Sequence, residues 1–390
     1  MMLKESLALI EKALPGNYSK YELHEPYFDA REEQYVLDCI KTRWVSYQGD
    51  YVNRFETMLA QVCQVNHAIA LASGTVALHL ALSIIGIGRG DEVIIPSLTF
   101  VATANAVMHC GAIPNFVDVA YSNFAIDPEK LDKYLERIIE FDTEGNALNT
   151  LTKNRVKAII PVHIFGHPVD LASLTKIAKK YRLIIIEDAA EAIGSYYKNQ
   201  HVGNVGKLSI LSFNGNKVIT TGGGGAIITN DDQLAEKIRY LSTTAKRPHR
   251  YDFFHDEVGY NFRMPNINAA IGVAQLEKLD DFLLKKRKLA KHYSQAFARN
   301  EFFDFLVDEP NTISNYWLNA IMIKPEYKQF KNQLLDQLHD KGIKCRPIWN
   351  PLHTLPMYKD MPKDHLDCTN DLFERVICLP SSVFLMDDKQ

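Results

Sequence analysis

The sequence predicts an α/β protein: a large, mostly parallel sheet covered by helices on both faces, then a smaller C-terminal α/β domain. Three observations carry this. Between about residues 65 and 230, short apolar runs alternate with segments of helical period. Several of those runs are apolar throughout, as strands buried on both faces must be. After about residue 260 the texture changes to long charged helical stretches with two further strand-like runs. With 390 residues and 46% hydrophobic content the chain suits two domains, 1–260 and 261–390.

In chain order, "MMLKESLALIEKALPG" reads as a short amphipathic helix, since Glu5 and Glu11 interrupt what would otherwise resemble a signal peptide. The stretch from Ala68 to Gly88 lacks Asp, Glu, Lys and Arg, which raises the question of a membrane span. "ASGT" breaks it and "GRGDEVIIP" follows at once, so it reads as a strand, a tight turn and a buried helix. The strands expected are "AIALA", "DEVIIP", "IPNFVDV", "VKAIIPVHI", "LIIIED", "LSILSF" and "GAIITN". Helical segments such as "DLASLTKIAKKYR" and "DDQLAEKIRYLSTT" lie between or after them. "EFDTEGNALNTLTKNR" reads as a polar surface excursion. The later region gives a long charged helix, "QLEKLDDFLLKKRKLAKHYSQAFA", then "NYWLNAIMI", the helix "KQFKNQLLDQLHDKG", and "IKCRPIW".

Composition narrows the function. Net charge is -3 with no long run of one sign, which argues against nucleic acid or an anionic membrane as the principal partner. The six cysteines are scattered without a C-x-x-C pair. That pattern suits reduced thiols in the cytoplasm better than a disulfide framework or a metal site.

Chemistry-bearing residues fall at the strand ends, where ligands sit in such sheets. "SFNGNKVITTGGGG" places Lys217 ahead of four glycines, the reverse of the order in a P-loop, so ATP chemistry is disfavoured. The glycines permit close backbone approach. Ser73, Gly74 and Thr75 open a helix after a strand, either as ordinary capping or as a phosphate site. Asp188 ends a strongly apolar strand. It reads as a helix N-cap or as the partner of a protonated ring nitrogen, with Glu191 one helical turn on. Phe100 follows another strand and, taken alone, reads as core. A loop lysine, a strand-end aspartate, a phosphate-type helix start and an aromatic together fit pyridoxal 5'-phosphate (PLP). Its chemistry needs a Schiff-base amine, a carboxylate on the pyridine nitrogen, an anion cradle and a stacking face.

Six segments in one order carry a resemblance: "LASGTVALHLAL", "GDEVIIPSLTFVAT", "IIPVHIFGHPVD", "IIEDAAEAIGS", "LSFNGNKVITTGGGGAIIT" and "VGYNFRMPNINAAIG". From about Leu23 to Ser382 the chain resembles the DegT/DnrJ/EryC1/StrS family of PLP-dependent nucleotide-sugar aminotransferases. The resemblance implies the aspartate aminotransferase-like fold (fold type I) and a homodimer with shared active sites. It implies that Lys217 is the Schiff-base lysine, Asp188 the pyridine-nitrogen partner and Glu191 a neighbour of the ring hydroxyl. Thr75 and Ser212 match phosphate ligands, Phe100 the stacking aromatic, and Asn261 an asparagine reaching the phosphate from the other subunit. Two departures stand out: Gly223 where many members have glutamate, and Glu191 where His or Gln is common. With "LHEP" and "SNYWLNAI" they resemble the branch making 4-amino sugars for bacillosamine and legionaminic acid.

The implied reaction moves the amino group of L-glutamate to C4 of a UDP-linked 4-keto-6-deoxy-N-acetylhexosamine. GDP-4-keto-6-deoxymannose (perosamine type) and a 3-keto sugar are the alternative substrates. A non-catalytic regulatory protein on the same fold is the alternative of a different class, disfavoured by Lys217 and Asp188. A family branch with histidine in place of the lysine is a dehydratase, which Lys217 also disfavours. Arg263 and Arg346 are candidates for diphosphate or carboxylate contacts.

Overall fold

The computed structural model describes residues 2–387. Its main sheet follows the order His67–Leu71, Gly225–Thr229, Leu208–Ser212, Ile184–Asp188, Arg155–Ile159, Asp91–Pro96, Ile113–Val117. Gly225–Thr229 is antiparallel to both neighbours, and the other pairings along this path are parallel. The reversal has a simple cause. Residues 213–224 join Leu208–Ser212 to Gly225–Thr229 without a helix, so the chain makes no crossover and must return antiparallel. Helices Gly74–Ile84, Ala102–His109, Leu171–Tyr181 and Asp232–Ser242 cover the sheet. The strands between them are almost wholly buried, as their continuous apolar runs require.

The segment expected as polar surface does lie at the surface, with Glu140, Thr143, Glu144 and Lys153 exposed, and part of it is also ordered as strand. Ile139–Phe141 and Ala147–Asn149 pair as an antiparallel hairpin, which joins the sheet through Arg155. Asp142 shapes its turn by accepting the N–H groups of Glu144 and Asn146 at 2.9 and 2.8 Å. Asn149 then donates to the buried Glu92 carboxylate at 2.9 Å, and Thr152 binds its other oxygen. These polar residues face an interior charge, not water, and composition alone could not distinguish the two.

A second sheet contains Phe303–Phe305, Asn319–Ile323, Val376–Leu379 and Arg346–Pro347, all antiparallel. The long charged helix expected from Gln275 to Ala298 forms as Leu279–Phe297, and a separate helix, Asn266–Leu276, precedes it. The expected division into 1–260 and 261–390 stands as a proposal, and the packing crosses it in both directions. Asn266–Leu276 packs on Ala30–Thr42 and Asp50–Cys63. Met2–Ala13 packs on Leu279–Phe297 and Lys331–Asp340, burying Ile10 and Ala13 with Leu289, Tyr293 and Ile321. No helix of the described residues is long and apolar enough to cross a membrane.

Candidate active site

The parallel strands bring their carboxyl ends to one edge of the sheet, and the predicted residues gather there. Ser73 caps the helix Gly74–Ile84, its hydroxyl accepting the Val76 N–H at 3.3 Å. The first N–H groups of any helix lack intrahelical partners and attract anions. Ser212, at the end of Leu208–Ser212, lies against this start: a Cβ on Gly74 would stand 3.0 Å from Ser212 Cβ and 3.3 Å from its Oγ. Gly225 is needed for the same approach, because a Cβ there would meet Gly74 N at 2.5 Å. Two strand ends and a helix start thus pack closely on one another, and the free N–H groups of the helix start with the Ser212 hydroxyl beside them suit a phosphate group. Thr75 is the second residue of that helix.

Asp188 and its neighbour Glu187 show why one carboxylate is free for chemistry and the other is not. They point to opposite faces of one strand. Glu187, fully buried, accepts the N–H groups of Gly203, Val205 and Gly206 at 2.7, 2.8 and 2.6 Å. It also lies 3.1 Å from His163 Nε2. Its acceptor capacity is used in holding the turn before Leu208–Ser212. Asp188 has two partners, Thr103 Oγ1 at 2.8 Å and the Ala190 N–H at 3.2 Å. A carboxylate offers about four acceptor positions, so Asp188 keeps room for a protonated ring nitrogen.

Lys217 Nζ is held by two side chains. Its Nζ is 3.3 Å from Glu191 Oε1 and 3.8 Å from the centroid of the Trp317 ring. Trp317 also donates its indole N–H to the carbonyl of Asn216, at 2.6 Å. Glu191 Oε2 in turn accepts the Phe165 N–H at 2.8 Å. Phe165 has φ 55, an uncommon left-handed conformation for a bulky residue, and this strain lies one hydrogen bond from the carboxylate that meets Lys217.

Burial pushes the Asp188 carboxyl up, against the Thr103 hydrogen bond and the Lys217 charge. Burial likewise pushes Glu191 up, with Lys217 opposing. Raised folded pKa values favour the fold below the unfolded values, roughly 4. That contribution is lost as pH rises through the folded values, leaving two ill-solvated carboxylates wherever no cation meets them. A cation bound at Asp188 relieves this. PLP is therefore expected to raise Tm more at pH 8 than at pH 5. Equal shifts in a thermal melt would show that the carboxylates do not meet the cofactor.

The other expected residues are placed less centrally. The Phe100 ring is half exposed, three residues before Thr103. Asn261 is exposed on an isolated bridge to Thr243. Arg263 is half-buried and pairs through one guanidinium nitrogen with Glu56, at 2.8 Å, which also binds Arg239. Arg346 is exposed. Of the four glycines after Lys217, Gly223 has no steric necessity: a Cβ there would meet nothing within 4 Å.

Sequence reasoning missed Thr103, Phe165 and Trp317. Thr103 closes the quoted segment "PSLTFVAT", and a lone hydroxyl in that apolar helix was a usable signal. Trp317 stands in "SNYWLNAI", but nothing local ties it to a lysine one hundred residues earlier.

The family model described as the DegT/DnrJ/EryC1/StrS aminotransferase family matches residues 26–390. GDP-perosamine synthase of Escherichia coli O157:H7 is 37% identical over 367 residues, covering 94% of each chain. The putative pyridoxal phosphate-dependent aminotransferase EpsN of Bacillus subtilis is 35% identical over 377 residues, 96% of this chain and 94% of that one. Among solved structures, Helicobacter pylori PseC, an aminotransferase involved in the biosynthesis of pseudoaminic acid, superposes with a TM-score of 0.84. It is 28% identical, with 93% of each chain covered.

Proposed function

Because this chain belongs to the DegT/DnrJ/EryC1/StrS aminotransferase family, we propose that it transfers the amino group of L-glutamate to C4 of GDP-4-keto-6-deoxymannose. The enzyme is a PLP-dependent sugar aminotransferase. The observation that supports the GDP sugar is the GDP-perosamine synthase relative, similar over nearly the whole of both chains. The sequence motifs pointed first to a UDP-linked N-acetylhexosamine of the bacillosamine and legionaminic branch, which becomes the second reading. One argument for it weakens on geometry. The space at Gly223 is open to any substituent, so the missing glutamate does not select a nucleotide.

PLP supplies, when bound, a carbonyl for amines and a ring that accepts electrons. The chain's residues do the rest. Lys217 Nζ would hold the cofactor and, when free, would carry the substrate proton. Glu191 and the Trp317 ring would orient that amine. Asp188 would keep a ring nitrogen protonated, with Thr103 aiming its carboxylate. Ser73, Gly74, Thr75 and Ser212 would hold the phosphate, and Phe100 would offer an aromatic face. Asn261 reaches the phosphate site of a second subunit, so the working unit is a homodimer. Sedimentation of an active, PLP-loaded monomer would refute that last role.

The deciding experiment incubates the enzyme with PLP, glutamate and a panel of GDP-, UDP- and dTDP-linked 4-keto sugars. The expected result is a highest specificity constant for the GDP sugar, with NMR placing the amine on C4. A preference for the UDP N-acetyl sugar supports the second reading, and an amine on C3 defeats both.

A further inference from the structure

Lys286 lies in the middle of Leu279–Phe297 and is fully buried. Among the described residues no carboxylate is within ion-pair distance of its Nζ. Its partners are two carbonyls, Trp317 O at 3.1 Å and Ser381 O at 2.7 Å. An ammonium in such a place is costly to desolvate, and burial pushes it down to about 7. A methionine would fill the volume more cheaply, so the two hydrogen bonds are what the lysine contributes.

The first of these bonds leads to the reactive lysine. Trp317 is bracketed at its main chain: its N–H donates to Asn315 Oδ1 at 2.8 Å, and its C=O accepts from Lys286. The Asn315 amide also binds the Glu191 and Ile193 carbonyls at 2.8 and 2.9 Å. Held this way, the Trp317 side chain grips the Lys217 loop at Asn216 and presents its ring face to Lys217 Nζ. The second Lys286 partner, Ser381, donates its N–H to the Leu23 carbonyl at 2.7 Å. His24, next along, is kept neutral by burial first and then by the Lys286 and Lys217 charges.

We propose that Lys286 is a positioning residue for Lys217, acting through Trp317: it fixes the Trp317 main chain so that the indole face stays on the reactive amine. This rests on Lys217 being the cofactor lysine. The consequence is a cation–π contribution to the Schiff base that depends on a residue touching neither cofactor nor substrate.

The test is the pH titration of the Schiff-base absorbance band in the PLP-loaded enzyme, with steady-state kinetics beside it. Lys286→Met is expected to lower the titration midpoint by about half a unit, the size of a lost cation–π contact. It should cut kcat about 10-fold while the KM for glutamate stays within about twofold. Lys286→Gln, whose amide can donate to both carbonyls, should restore most of each. Trp317→Leu should show the same midpoint shift, which keeps the test decisive if Lys286→Met does not fold. A lower Tm with unchanged midpoint and kcat in these variants would make Lys286 a purely structural group and overturn the proposal. A wild-type enzyme with no band sensitive to borohydride would instead overturn the assignment of Lys217.

Discussion

Lys217→Ala is expected to bind PLP without a covalent bond and to lose turnover by roughly three or more orders of magnitude. The size follows from the two roles one amine combines, attachment of the cofactor and transfer of the substrate proton. Its surroundings make the loss specific to chemistry. The side chain is largely buried, with Glu191 and the Trp317 ring as neighbours, and no structural carbonyl depends on its Nζ among the described residues. Alanine there removes the amine and leaves the strand ends in place. Borohydride reduction of the wild-type enzyme, followed by peptide mass mapping, should put the pyridoxyl group on Lys217. Label on another lysine would end the assignment.

Asp188→Asn is expected to lower turnover roughly 100-fold or more while PLP affinity changes by less than about 10-fold. Asparagine keeps the volume, its Oδ1 can still accept the Ala190 N–H, and its amide NH2 can donate to the Thr103 hydroxyl in place of accepting from it. What it loses is the charge that holds a proton on the ring nitrogen, so electron withdrawal falls while binding through the phosphate persists. Glu187→Gln is the control. Its carboxylate holds three N–H groups of the Gly203–Gly206 turn and a histidine, so that change should appear mainly as a lower Tm. Near-normal turnover in Asp188→Asn would reduce Asp188 to a helix cap.

Much of this site was legible in the sequence. Apolar runs of five or six residues ending in Asp188 or Ser212 mark strand ends, and the glycines and Ser73 mark the turns between strand and helix. These are local patterns, governed by backbone periodicity and by the few residues that tolerate tight turns. Even the adjacent carboxylates Glu187 and Asp188 follow from strand alternation, once the strand is known.

The rest came from packing. Trp317, Asn315 and Lys286 lie far along the chain from Lys217, in the region read only as a second α/β unit, yet the Trp317 ring meets its amine and the other two bracket the Trp317 main chain. The same is true of Thr103 under Asp188 and of the hairpin whose Asn149 serves Glu92. Which of two neighbouring charges is saturated, and which polar residue faces the interior, depends on what a distant element brings within about 3 Å. Periodicity decides which face a residue occupies. The identity of the group meeting it there is decided only when the elements pack, since a buried polar atom takes its partner from whichever segment is pressed against it.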